Sequence, residues 1–200
     1  MTEPIKPGKR IATYEDVLRA PRDKIAEVLE GDLILNPRPR FEHSMVASCM
    51  NGDLSGPFHR KPGGPHGPGG WWILCEPELH LHGDIVVPDV AGWRRERMVE
   101  APKGPFTAIG PDWVCEVISP STAGHDRIVK MRIYAREKVG HVWLVDPATR
   151  VIEVFRLQDG QWVLAQSAYG SNFARLEPFA AVELELSRWW GETPDPPQDP

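Results

Sequence analysis

The sequence predicts a mixed α/β fold in which helices flank a central sheet and an antiparallel meander lies near the carboxyl end. Residues 111–119 and 141–147 are apolar, β-branched runs that predict buried strands, and a helical pattern over 126–139 separates them. Strand, helix and strand in this order favour parallel pairing through a crossover. Residues 150–170 alternate around an Asp-Gly turn, which is typical of a hairpin.

The other predicted elements lie on both sides of this unit. Thr13 can cap a short helix over 14–20, and residues 25–37 flank a Glu-Gly turn that favours two antiparallel strands. Apolar residues at helical spacing predict a helix over 41–54. Further predictions are two or three strands within 71–93, a short helix at 94–100 in an otherwise polar stretch, a strand at 181–186, and Trp189 and Trp190 covering a core edge.

A chain of 200 residues suits one domain with loose ends. We expect a tail over residues 1–12, a single domain over 13–190 and a disordered, acidic, proline-rich tail over 191–200. Residues 55–70 contain ten Gly or Pro in sixteen positions and predict a flexible loop. Disorder is favoured there over an active-site flap.

Composition excludes several classes of protein. No apolar run approaches the roughly 20 residues that span a bilayer, and the first residues lack the apolar core of a signal peptide. We therefore expect a cytoplasmic protein without a membrane partner. The three cysteines are an odd number at wide separations, which predicts reduced, buried thiols rather than disulfides or a zinc site.

Net charge gives no global support for binding a phosphate backbone, because the formal value is -5. Any such binding must be local. The best candidate is the segment 126–138, where five basic and two acidic residues give a local charge of +3. A solvated helix face is the alternative interpretation.

Three short motifs place two acids and a lysine in an order that suits metal-dependent hydrolysis. Asp89 lies in VVPDV, Glu116 in WVCEVISPST and Lys130 in DRIVKMRIY. A carboxylate in a buried run is unfavourable unless it is paired, and a bound cation would pair it. Hydrolysis of a phosphodiester needs oxygen ligands for a divalent metal, and a nearby ammonium can orient water or offset developing charge.

Each motif also has a structural explanation. Asp89 follows a proline and could simply end a strand, while Glu116 could pair with an arginine. Asp126 and Lys130 have the spacing of an ordinary helix salt bridge. The acids can converge only if Asp89 ends one strand and Glu116 lies on its neighbour.

Together these motifs resemble those of a large bacterial family described as "putative restriction endonucleases", a branch of the PD-(D/E)XK nuclease superfamily. The similarity extends from about Tyr14 to Trp190. It is carried by EVLEGDLIL, His43, Pro88-Asp89, EVISPST at 116–122, the Asp126, Lys130 and Tyr134 series, and VGHVWLVDP at 139–147.

The resemblance implies a restriction-endonuclease-like fold in which Asp89 and Glu116 bind Mg²⁺ or Mn²⁺. In most of the superfamily the catalytic lysine stands two residues after the second acid, where this chain has Ile118. The family departs from that pattern in the same way. The resemblance therefore implies that Lys130, on the following helix, takes the place of that lysine.

Four supporting residues follow from the same resemblance and from their neighbours. Glu27 corresponds to an acid in the first strand that could add a ligand or hold a water, and His43 to a histidine at the start of the long helix. Asp126 belongs to the lysine series. Ser119 could bond phosphate, although Ser-Pro-Ser-Thr before a helix is equally typical of a turn and cap. His43 has a capping or packing role as its alternative.

These observations lead to a Mg²⁺-dependent endonuclease acting on DNA as the main hypothesis. A nucleic-acid-binding or regulatory module that keeps the fold without efficient cleavage is the alternative, favoured by the acidic charge and the displaced lysine. A hydrolase of another phosphoester, such as a nucleotide, is the third. Exposed strand edges and tryptophans make a homodimer a further expectation.

Overall fold

The computed structural model describes residues 10–192. The predicted tails therefore lie largely outside the described residues, which exclude 1–9 and 193–200. Within the described part, Arg10 forms an ion pair with Asp16, and the backbone N–H of Ala12 donates to the carbonyl of Gly31. These contacts join the start of the described chain to the first helix and first hairpin.

The chain forms three α-helices, a π-helical turn, a short 3₁₀ helix and thirteen strands within the described residues. The helical segments are α1 (Tyr14–Leu18), α2 (Phe41–Phe58), the π-helical turn His125–Lys130, α3 (Met131–Arg136) and the 3₁₀ helix Leu186–Trp190. The strands are β1 (Lys24–Leu29), β2 (Asp32–Pro37), β3 (Trp71–Cys75), β4 (Glu78–Leu81), β5 (Asp84–Val86), β6 (Val90–Arg94), β7 (Phe106–Thr107), β8 (Trp113–Val117), β9 (His141–Asp146), β10 (Val151–Gln158), β11 (Gln161–Tyr169), β12 (Phe173–Ala174) and β13 (Leu184–Glu185).

These strands form two main sheets and one small one. The larger sheet has the order β11-β10-β9-β8-β6-β3, and the second has the order β2-β1-β5-β4-β7. As predicted, β8 and β9 pair in parallel across the intervening helix, and β9, β10 and β11 form an antiparallel meander. Every residue of β8 is buried, as expected for a strand covered on both faces. The mixed α/β prediction is confirmed.

Several predicted boundaries were wrong. Residues 71–93 contain four strands rather than two or three, and they divide between the two sheets. Residues 95–98 form a turn after β6 instead of the helix predicted at 94–100. The predicted strand at 181–186 is reduced to β13. The helix predicted over 126–139 ends at Arg136, because Lys138 adopts a left-handed backbone conformation with φ 59°.

The glycine- and proline-rich segment begins later than expected. Helix α2 continues through Pro57 to Phe58, so residues 55–58 are helical. The segment after it folds back on the helix end, since the N–H groups of Gly69 and Gly70 donate to the carbonyls of Pro57 and Arg60. At Gly69, with φ +64°, an added Cβ would lie 2.1 Å from the carbonyl oxygen of Lys61, so this close approach requires glycine.

The core consists of two clusters on opposite faces of the six-stranded sheet's central strands. One contains Trp113, Trp143, Phe179 and Trp189, all fully buried, and the other contains Trp93 and Tyr134. Trp190 is only half-buried and packs against the first cluster. Cys115 and Cys49 are buried or half-buried free thiols, but Cys75 is exposed, contrary to the prediction. Among the described residues, no helix combines the length and apolarity needed to cross a membrane.

Gly92 in β6 shows how tightly the first cluster is packed. An added methyl group would lie 3.2 Å from Cε3 of Trp113 and 3.3 Å from Cε3 of Trp71. We expect Gly92→Ala to lower the free energy of unfolding by about 1–3 kcal/mol through overpacking. Urea denaturation measures this. The control is Gly52→Ala on α2, where nothing lies within 4 Å and alanine should be neutral or stabilising. Equal destabilisation by both would contradict the packing explanation.

Candidate active site

The pairing of β6 with β8 brings the two predicted acids together. Val90 lies opposite Cys115 in this antiparallel pair, so Asp89, just before β6, lies beside Glu116. The Oδ2 atom of Asp89 accepts a 2.7 Å hydrogen bond from the backbone N–H of Val117. Convergence of the acids was expected if Asp89 ended a strand. Asp89 instead precedes one, and the same neighbour relation results.

Lys130 lies at the centre of a buried group of carboxylates. Its Nζ is 3.0 Å from Oε1 of Glu27, 3.3 Å from Oε2 of Glu116 and 3.5 Å from Oδ1 of Asp126. All four side chains are at most 5% exposed. The ion pair between Asp126 and Lys130 is present, as the helix-spacing interpretation expected, but it is buried and shared with two acids from different strands.

Glu27 is fixed by two donors in addition to Lys130. The backbone N–H of Val87 donates to its Oε1 at 2.8 Å, and Nδ2 of Asn36 donates to its Oε2 at 2.9 Å. Asn36 was not predicted. The hairpin register pairs Ile25 with Asn36 and Glu27 with Ile34, so Asn36 lies diagonally across from Glu27 on the same face. The only sequence feature that could have indicated this contact is an asparagine near the end of the alternating second strand.

Tyr134 holds the other side of Glu116. Its hydroxyl donates a 2.5 Å hydrogen bond to Oε1 of Glu116, and both groups are fully or nearly fully buried. Asp126, Lys130 and Tyr134 recur at intervals of four residues, which places them on one helical face. The first two lie in the π-helical turn, a widening that is frequent at functional sites.

Tyr134→Phe tests the contribution of this hydroxyl. The variant leaves Oε1 of buried Glu116 without its donor, so we expect the free energy of unfolding to fall by about 1–3 kcal/mol. Chemical denaturation at neutral pH measures the loss. The matched control is Tyr169→Phe, because Tyr169 is 71% exposed. A Tyr134→Phe protein as stable as the control would contradict a structural role for this bond.

His43 contacts Asp89 from the first turn of α2. Its Nε2 lies 3.2 Å from Oδ2 of Asp89, while its buried Nδ1 has no hydrogen-bond partner among the described residues. Burial opposes protonation of the ring, but the hydrogen bond and the charge of Asp89 outweigh it, so the pKa of His43 is raised. The histidine thus contacts Asp89 and does not cap the helix.

Ser119 lies at the edge of the same cleft. Its Oγ shares hydrogen bonds with the hydroxyls of Ser121 and Thr122, and its carbonyl accepts from the N–H of Ala123. This is the turn that the structural interpretation expected. Ser119 nevertheless lines the cleft that contains the acids.

The site carries an excess of negative charge. Four carboxylates, from Glu27, Asp89, Glu116 and Asp126, surround a single ammonium, which leaves a formal charge of -3 before His43 is counted. Burial and then the neighbouring carboxylates raise the pKa of Glu116 well above its usual value, although Lys130 opposes the shift. The carboxylates raise the pKa of Lys130 well above its usual value despite its burial.

These donors suit a hard divalent cation. Carboxylate oxygens are the ligands that Mg²⁺ and Mn²⁺ prefer, and an added cation would offset the excess charge. Within residues 10–192, no three His, Cys, Asp or Glu side chains form a group that could hold a metal by themselves. Mg²⁺ is usually bound by one or two carboxylates together with waters and substrate phosphate.

The acids lie in a cleft of about 420 Å³. All seven predicted site residues line it: Glu27, His43, Asp89, Glu116, Ser119, Asp126 and Lys130. Two arginines that were not predicted, Arg38 and Arg40, line its mouth between β2 and α2. The alternating Pro and Arg residues after β2 gave no recognisable pattern for this role.

The basic surface predicted at 126–138 is largely neutralised. Arg127 pairs with Glu153, Arg132 with Glu30 and Arg136 with Asp84, while Lys130 is buried. The best candidate for local phosphate binding therefore has most of its basic charges already paired, and the alternative of an ordinary helix face fits these contacts better. The charges serve to attach the helix to the two sheets.

The motifs that form this cleft also match a known protein family. The family model described as "Putative restriction endonuclease", Uma2, matches residues 11–188. The chain belongs to the Uma2 family. The predicted family resemblance is thereby confirmed, and the motifs that carried it supply most residues of the cleft.

The fold of this Uma2 member is similar to a solved structure. A crystal structure of a "putative nuclease belonging to DUF820" from Anabaena variabilis superposes with a TM-score of 0.71 at 19% sequence identity, covering 90% of this chain and 98% of the other. At that identity the likeness establishes the fold. A search of curated proteins found no match.

Proposed function

We propose that this Uma2 protein is an endonuclease that hydrolyses DNA phosphodiester bonds with the help of Mg²⁺ or Mn²⁺. The observation that carries the proposal is the arrangement of Asp89 and Glu116 across adjacent strands, with Lys130 beside Glu116 in one cleft. Family membership supports it. Asp89 and Glu116 are the residues that would hold the metal.

Each side chain can be given a role. A divalent cation bound there would lower the pKa of a bound water and stabilise charge on the phosphate oxygens. Asp89 is oriented by the N–H of Val117 and by His43, and Glu116 by Tyr134. Lys130 would neutralise charge that develops on the phosphate or orient the attacking water.

Glu27 and Asp126 would keep the ammonium of Lys130 in position, since both contact its Nζ. Fixed groups of this kind contribute most when they need no rearrangement during the reaction. Ser119 would supply a hydroxyl donor to a phosphate oxygen at the cleft edge.

Metal-dependent nicking of supercoiled plasmid tests the proposal. We expect conversion to open circles with Mg²⁺ or Mn²⁺, loss of activity in EDTA, and recovery when excess metal is restored. Nicking that persists in EDTA, or that is equal in wild type and Asp89→Asn, would identify a contaminant and refute the proposal.

A non-catalytic DNA-binding module is the second candidate, because the ammonium of Lys130 already contacts three carboxylates. Calorimetry separates the two functions. DNA binding that is unchanged by EDTA and by substitution of either metal-site acid, without cleavage in any metal, would favour the module.

A further inference from the structure

Residues 38–41 form a short basic and aromatic segment at the mouth of the cleft. Arg38 and Arg40 line the cleft, and Phe41 follows directly as the first residue of α2. Phe41 is 83% exposed, the highest value among the exposed large hydrophobic residues described. Exposure of such a large apolar ring beside two arginines suits a surface on which a planar ligand stacks.

The acids of the cleft are recessed below this mouth. Glu27, Glu116, Asp126 and Lys130 are between 1% and 4% exposed. A cleft of about 420 Å³ is comparable to pockets that enclose small molecules, so a phosphate must enter it to reach the acids. A flexible single strand can bend into such a cleft, whereas an undistorted duplex holds its phosphates on a wide, stiff helix.

The distribution of charge also favours a single strand. Duplex affinity depends largely on many phosphate contacts, and this chain has a formal charge of -5 and a basic helix whose arginines are already paired. Two arginines remain at the cleft mouth, and exposed Glu42 lies among them. Single-stranded binding needs fewer phosphate contacts, because each base stacked on an aromatic ring adds about 5- to 150-fold in affinity.

We propose that the cleft takes single-stranded or unpaired DNA, with Phe41 stacking on a base and Arg38 and Arg40 contacting the phosphates beside it. This inference rests on the proposed nuclease function for its chemistry. Binding can be measured without cleavage, so the binding proposal and the proposed nuclease function can be refuted separately. Phe41 and both arginines are binding residues in this proposal, and Glu42 weakens phosphate binding.

Fluorescence anisotropy in EDTA provides the test, with a short labelled oligonucleotide and its annealed duplex as probes. We expect the single strand to bind at least about tenfold more tightly than the duplex, and Phe41→Ala to weaken single-strand binding by about tenfold. The matched control is Phe173→Ala, since Phe173 is 65% exposed and lies in β12, outside the segment 38–41. Arg40→Gln should reduce the slope of log affinity against log salt by about 0.7.

Equal or tighter duplex binding, or a Phe41→Ala protein that binds like Phe173→Ala, would overturn the inference. The labelled single strand is then incubated with Mn²⁺ in place of EDTA. Absence of cleavage of this strand and of supercoiled plasmid, with Phe41-dependent binding intact, would refute the proposed nuclease function and support this binding site. Cleavage that is unchanged by Phe41→Ala would support the nuclease function and refute this binding site.

Discussion

Replacing Lys130 by methionine is expected to lower the free energy of unfolding by about 3–5 kcal/mol. Methionine keeps much of the chain length but removes the only ammonium among the buried carboxylates of Glu27, Glu116 and Asp126. Those charges would then lie close together in a medium that solvates them poorly. Urea denaturation followed by circular dichroism measures the loss, and nicking should fall with it.

A second substitution distinguishes this electrostatic effect from a simple packing defect. In wild type, Glu27→Gln removes a partner of Lys130 and should destabilise; in the Lys130→Met background it removes an unpaired charge and should stabilise. Lys138→Met is the matched control, because Lys138 is exposed just after α3. If Glu27→Gln has the same effect in both backgrounds, the ammonium does not balance these acids.

Asp89→Asn is expected to abolish metal-dependent cleavage, by a factor on the order of 10³ or more, while leaving the fold intact. The amide oxygen can still accept the hydrogen bond from Val117, so the junction of β6 and β8 is kept. One of four crowded carboxylates becomes neutral, so metal-free stability should be unchanged or higher. The loss should therefore be confined to metal binding and chemistry.

Thermal shift measures this separation directly. Mn²⁺ at about 100 times its dissociation constant should stabilise wild type by about 2.7 kcal/mol, roughly 5–10 °C in Tm for a chain of this size. Asp89→Asn should show no shift. Asp159→Asn is the control, since Asp159 lies in the β10–β11 turn with φ 50°, a conformation that asparagine tolerates. A metal shift retained in Asp89→Asn would exclude Asp89 as a ligand.

The sequence located the cleft because its chemistry is carried by motifs. Asp89, Glu116 and Lys130 stand in short, distinctive segments, and the structure brings them to one place. Asn36 and Arg40 stand in segments without such a pattern. Asn36 reaches Glu27 through hairpin register, and Arg40 reaches the cleft through the path of the chain into α2, so both depend on three-dimensional placement.

The division of the strands between two sheets could not be predicted from the sequence either. Alternation identifies strands, but it does not show which strands pair. Here β5 pairs with both β1 and β4, while β3 and β6 join the larger sheet. Glu76 turns the chain between β3 and β4 with φ 45°. A positive φ is uncommon for glutamate, so the sequence does not predict this turn. The parallel β8–β9 unit was predictable because its helix forces the crossover.

The ammonium of Lys130 contacts Glu27 of one sheet and Glu116 of the other. Lys130 itself lies in the helical segment that connects β8 and β9 of the larger sheet. The placement of the Lys130 amine beside the proposed metal ligands is consequently a property of the assembled molecule. A fragment that begins after β2 would keep Asp89, Glu116 and Lys130 yet lack the carboxylate that anchors the amine from the far side. Docking of the two sheets would thus be required to hold the amine beside the acids.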